Sequence, residues 1–166
     1  MTDSQKEKVK ELQQFEEKLK KKHANLQPLI KQWSEIICSW PEVERCKHMY
    51  GGIEFRVFNR SFGHIHANGL IDLPFKKELR DVLIERGYAQ WHHFKKDLLW
   101  VSVQLKKPAD FEKARPVLLL SYYLKAGDYL REFPVAANFI NHELNLHFKD
   151  TEILKLSGYL HSPNES

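Results

Sequence analysis

The chain has 166 residues, of which 42% are hydrophobic and 12% aromatic. This is the size of one domain with extensions, with enough apolar content to exclude wholesale disorder. Lys and Arg number 26 against 22 Asp and Glu, a net charge of +4. The two signs alternate along most of the chain, so no basic stripe for duplex nucleic acid stands out, and nucleic acid is not an expected partner.

Cys38 and Cys46 are not in a CxxC spacing. They read as reduced thiols, although Pro41 between them leaves a bridge open. Residues 1–25 are charged and lack the apolar segment of a secretory leader. No apolar run of about 18 residues exists, so no membrane span is expected. The default compartment is the cytoplasm.

Residues 3–25 read as a charged amphipathic helix. Val9, Leu12, Phe15, Leu19 and Leu26 make a narrow apolar stripe. Asp3 and Ser4 are candidate caps, and Lys20, Lys21 and Lys22 complement the dipole at the far end. Glu7, Glu11, Glu16 and Glu17 interrupt the positive charge, which favours a solvated helix over an anion-binding one. Pro28 opens a second helix with Leu29, Ile30, Trp33, Ile36 and Ile37 as its apolar face, ended by Pro41. Pro41 to His48 reads as a connector or short helix.

After Gly51-Gly52 the period changes to two. Ile53, Phe55 and Val57 mark a half-buried strand, Phe62 to His66 a second, and Leu70 to Leu73 a third after an Asn68-Gly69 turn. A helix is predicted over 75–86, stopped by Gly87. Strands follow at Tyr88–Phe94 and Leu98–Leu105, then helices from Pro108 to about Leu124, with Pro116 as a kink, and over 133–148. The expected fold class is α+β: two layers, with an antiparallel sheet of about five strands against helices, and helical N- and C-terminal extensions. The division is 1–27 for the N-terminal helix, 28–124 for the domain with its core at 51–124, and 125–166 for the C-terminal extension and polar tail.

Several short motifs follow one another along the chain: Gly63-His64-Ile65-His66, Leu70-Ile71-Asp72-Leu73-Pro74, Gly87-Tyr88-Ala89-Gln90-Trp91-His92-His93, Trp100-Val101-Ser102-Val103 and Ser121-Tyr122-Tyr123. This series resembles the luciferase-like domain shared by fungal luciferases and many short bacterial proteins of unassigned role. The resemblance covers about residues 51–124. Fungal luciferases oxidise a hydroxylated pyrone with molecular oxygen, and no organic cofactor is associated with that step. They also carry an N-terminal membrane segment and an acidic residue directly after the histidine pair. Here no such segment is visible, and the pair is followed by Ala67 and Asn68. The resemblance therefore implies the fold and the histidine positions, not the light reaction.

In a strand, residues i and i+2 share a face. His64 and His66 are thus expected side by side, with Phe62 on the same face. They can converge on one divalent ion if His92 or His93 supplies a third ligand, with Asp72 or Glu54 as an oxygen donor. Without a metal, His64 or His66 could act as a general base on an enol or phenol, with His92 or His93 stabilising the oxyanion. The bland alternative is a pair of hydrogen-bonded histidines on a sheet face. Trp91 and Trp100 are candidate pocket walls, though tryptophans are more often core. Arg56 could hold an anionic ligand, and Asp72 could cap a helix or orient a histidine. No Gly-rich phosphate loop is present. The expected function is a small-molecule site, with a cofactor-independent or metal-assisted oxygenase of an aromatic or enolic substrate as the leading case. The competing case is a non-enzymatic module for a protein partner or nucleic acid, since the strand-helix layout also resembles small YjbR-like domains. The sequence leaves the oligomeric state open.

Overall fold

The computed structural model describes residues 2–92 and 99–159. Helix α1 (Asp3–Lys22) is capped one residue earlier than expected. The Thr2 hydroxyl accepts from the Gln5 amide, and the Gln5 side chain accepts from the Thr2 amide. A short 3-10 turn at Ala24–Leu26 leads into α2 (Gln27–Cys38), which has Pro28 in its first turn. Ile30, Trp33 and Ile37 of α2 are buried.

The expected connector after Pro41 is instead strand β1 (Val43–Lys47). It is the edge partner of β2 (Ile53–Val57), and most of its side chains are exposed, so it carries no period-two apolar signal. Strands β3 (Arg60–Ile65) and β4 (Leu70–Pro74) follow, then α3 (Lys77–Glu85). The expected strand at 88–94 is β5 (Gln90–Trp91) within the described residues. After it come β6 (Trp100–Gln104), α4 (Pro108–Ala126), α5 (Pro134–His147) and a short α6 (Thr151–Leu156) that the sequence reading does not include. The α6 N-terminus is capped by Asp150, whose carboxylate accepts from Glu152 and Ile153.

The fold is α+β. Its sheet has six antiparallel strands, not five, in the order β1-β2-β3-β4-β6-β5. Phe55, Val57, Ile65, Ile71, Leu73 and Val101 are buried in one continuous core with α2 and α4 residues such as Trp33, Phe111, Leu118 and Tyr122. Trp33 stacks on Phe111 with ring centres 6.3 Å apart, which ties the two helices together.

The β2–β3 register shifts at Phe55/Arg56. Phe55 faces Gly63 and Arg56 faces Ser61, which leaves Phe62 as an extra residue between them. Simple alternation predicts Phe62 on the histidine face. The bulge sends its ring into the helix-side core instead, against Trp40, Phe55 and Tyr122. The Ser121 hydroxyl, on α4, donates to the Phe62 carbonyl at 2.6 Å and holds the bulge.

Candidate active site around Asp72

The sheet aligns polar residues across five strands. Glu54 pairs with His64, His64 with Asp72, Asp72 with Ser102, and Ser102 with Gln90. Directly paired residues point to the same side, so this row occupies one face. His66 lies two residues beyond His64, and His92 two beyond Gln90. The pleat brings both back to the same face.

Asp72 is the centre, with its residue fully buried. Its Oδ2 lies 3.1 Å from His66 Nε2, 3.4 Å from His64 Nε2 and 3.5 Å from His92 Nε2. The Ser102 hydroxyl donates to the other oxygen, Oδ1. Among the described residues, His64, His66 and Asp72 form a set whose ligand atoms all lie within 4.8 Å of one another.

Around this centre sit further rings. His48 stacks on His64 with centres 4.1 Å apart and planes 9° from parallel. Trp100 lies 5.4 Å from His64, ring centre to ring centre. The Nδ1 atoms of His48 and His64 are both buried without a hydrogen-bond partner.

The N-terminal helix enters the site as well. The turns at 48–52 and 66–69 lie at the same end of the antiparallel sheet, and α1 crosses them. Glu16 Oε2 lies 3.0 Å from His66 Nδ1, and Oε1 accepts from the Ala67 amide. A groove of about 670 Å³, lined in part by Lys10, Lys18, Lys47 and the two glycines 51 and 52, reaches Glu16 and His66 from solvent.

The charges respond to this packing. Burial works against a charged His66, but its bonds to Asp72 and Glu16 outweigh burial and lift its pKa to about 9. Burial likewise opposes ionisation of Asp72, yet hydrogen bonds from His64, His66 and Ser102 hold its carboxyl well below the usual range. Burial, reinforced by His64, pushes His48 down to about 4. Burial also lowers His92, with Asp72 pulling the other way. Three imidazoles face this buried anion and offset the cost of its charge.

Of the residues singled out from sequence, the structure gathers His64, His66, His92 and Asp72 on one oxygen, with Trp100 beside them. His93 lies outside the described residues. Trp91 is 39% exposed, under the Arg80 guanidinium at 5.0 Å. Arg56 is bonded to Glu54, at 2.8 Å from its Oε2. Glu54, the alternative oxygen donor, is thereby committed to Arg56, and Asp72 is the carboxylate among the imidazoles. Sequence reasoning misses Ser102, His48 and Glu16. Glu16 did leave a trace. It falls between Leu12 and Leu19 in the stripe of α1, where an apolar residue belongs.

The family model for the Luciferase domain matches residues 59–121. No curated protein and no solved structure matches the chain. The matched stretch contains His64, His66, Asp72, His92 and Ser102, whereas Glu16 and His48 lie before it. The match to residues 59–121 thus supports a luciferase-like domain family for this stretch, which carries most of the site.

Proposed function

We propose that the chain is a metal-assisted oxygenase of a small enolic or aromatic substrate, with His64, His66 and Asp72 holding a divalent ion. The observation that carries this reading is the spacing of ligand atoms around Asp72 Oδ2. Metal–ligand bonds of about 2.0–2.2 Å put neighbouring donors about 2.9–3.5 Å apart in tetrahedral or octahedral sites. His66 Nε2 at 3.1 Å and His64 Nε2 at 3.4 Å fall inside that interval. His92 Nε2, at 3.5 Å, is a further donor beside the set.

Two histidines and one carboxylate with open positions are the donor set of non-haem iron(II) oxygenases. That choice suits a family in which fungal luciferases use molecular oxygen. Bound there, such an ion supplies Lewis acidity toward an enol oxygen and redox chemistry toward dioxygen. The protein's own part is positioning. Ser102 occupies Asp72 Oδ1 and leaves Oδ2 for the ligand role. Glu16 occupies His66 Nδ1 and leaves Nε2. Trp100 provides an apolar wall against which a flat substrate can lie.

The test is direct. Metal-free full-length chain is incubated with Fe²⁺ under argon, or with Mn²⁺ or Zn²⁺, then gel-filtered and analysed for metal. One ion per chain is expected, with oxygen uptake on adding a hydroxylated pyrone or a catechol to the iron form. The His64→Ala/His66→Ala double variant is expected to keep its circular dichroism and lose both ion and uptake. Wild-type chain that is folded yet retains none of these ions would sink the metal reading. Loss of stability alone in the double variant would leave the non-enzymatic module as the better account.

A further inference from the structure

Glu16 is the only buried residue of α1, at 6% exposure on a helix that is otherwise lysine-rich and solvated. A carboxylate in such a place is costly unless both oxygens are bonded. Here both are, to the Ala67 amide and to His66 Nδ1. The opposite wall of its seat is built from glycine. A Cβ on Gly51 would stand 2.6 Å from Glu16 Cβ and Cγ, and one on Gly52 would stand 3.4 Å from Glu16 Oε1 and 2.5 Å from the Ile65 carbonyl. Both glycines have positive φ, +98° and +77°.

An ionised carboxylate only accepts hydrogen bonds. Facing Glu16, His66 Nδ1 must therefore carry the hydrogen. Nε2, turned toward the ionised Asp72 Oδ2 at 3.1 Å, carries a hydrogen too in the metal-free chain; with Nδ1 held by Glu16, Nε2 is the nitrogen that a metal ion would take in place of its proton. We propose that Glu16 is a positioning residue of this site: from a helix outside the matched domain, it fixes His66 with Nδ1 protonated and Nε2 as the donor. The proposal rests on the metal reading for its consequence, and α1 becomes part of the working site.

Glu16→Gln separates this role from simple packing. The Gln carbonyl can keep the Ala67 amide, which turns the –NH₂ group toward His66 Nδ1. Nδ1 must then accept, the ring keeps its one hydrogen on Nε2 facing Asp72, and the donor atom is blocked. Gln13→Ala is the control. It removes the other α1 anchor, the Gln13 side-chain bond to the Met49 carbonyl at 2.8 Å, without touching His66.

Zn²⁺ affinity is measured by chelator competition in full-length wild type and both variants, alongside ¹⁵N spectra of the His66 ring. Glu16→Gln is expected to bind Zn²⁺ about 10–100-fold more weakly and to lose the Nδ1–H signal. Gln13→Ala is expected to match wild type in both. Equal weakening in Gln13→Ala would show that helix docking matters and not the carboxylate, and would overturn the proposal. So would an unchanged affinity in Glu16→Gln. If Glu16→Gln does not fold, the wild-type spectrum decides, because an Nδ1 without its hydrogen overturns the assignment. If wild type binds no Zn²⁺, the metal reading falls. The Nδ1–H signal, present in wild type and absent in Glu16→Gln, still supports the positioning role, and its persistence in the variant ends it.

Discussion

Gly51→Ala tests how tightly the N-terminal helix is coupled to the site. At φ +98° an added Cβ incurs backbone strain of about 1–2 kcal/mol. It would also stand 2.6 Å from Glu16 Cβ and Cγ. To restore ordinary contact, Glu16 must retreat by about 0.8 Å. The 3.0 Å contact between Glu16 and His66 Nδ1 then opens past hydrogen-bond range. Losing one charge-assisted bond adds about 1.5–3 kcal/mol, and relaxation of the helix returns part of it. The expected total is about 2–4 kcal/mol, or about 5–15 °C in Tm for a chain of this size. Zn²⁺ affinity is expected to fall about tenfold, because an orienting partner of a ligand is displaced. The assay pairs a thermal melt of the metal-free chain with chelator competition. Gly87→Ala is the internal control, since it also has positive φ (+75°) but nothing within 4 Å of an added Cβ. It should show the strain alone, about 1–2 kcal/mol, with unchanged affinity. If Gly51→Ala and Gly87→Ala behave alike in both assays, the coupling of α1 to His66 is refuted.

Other substitutions read other parts of the structure. Ser102→Ala leaves Asp72 Oδ1 without its hydroxyl donor in a buried setting. Urea unfolding should show a loss of about 1–3 kcal/mol, and a loss below about 0.5 kcal/mol would mean that the bond does not anchor the carboxylate. His48→Phe keeps a ring stacked on His64 and removes the unpartnered buried Nδ1, together with the ring's bond to the Gly51 backbone. The two changes oppose each other, so stability should move by less than about 1 kcal/mol, with the same metal content; a lost ion would instead make His48 a ligand. Burial raises the phenol pKa values of Tyr122, Tyr123 and Tyr159 above the ordinary 10. Unfolded chain therefore ionises first, so these groups subtract stability as pH rises through 10 and leave it unaffected below that. Tyr122→Phe should cost about 1 kcal/mol at neutral pH, through its lost bond to the Pro41 carbonyl, and should flatten the alkaline decline seen in pH-dependent melts.

Much of the fold is written in local periodicity. Alternation after Gly52 marks β2, and the apolar runs between turn residues mark β3 and β4, whose side chains are buried on both faces. Gly87 stops α3 as expected, with φ +75° just past the helix end. The pairing of His64 and His66 on one carboxylate also follows from a two-residue step. β1 was not legible, because an edge strand with mostly exposed side chains owes its existence to backbone pairing with β2. The same holds for the inward turn of Phe62, which depends on a register shift that alternation assumes away.

By itself, then, the sequence determined the α+β class, the main helices and strands, and the meeting of two histidines, since burial leaves a period on the chain that carries it. Only the tertiary structure decided that Asp72 is the centre, that Ser102 and His92 reach it across the sheet, and that Glu16 arrives from fifty residues away to hold His66. Those partners are set by strand register and helix docking, which are long-range contacts with no local signature beyond one acid in an apolar stripe.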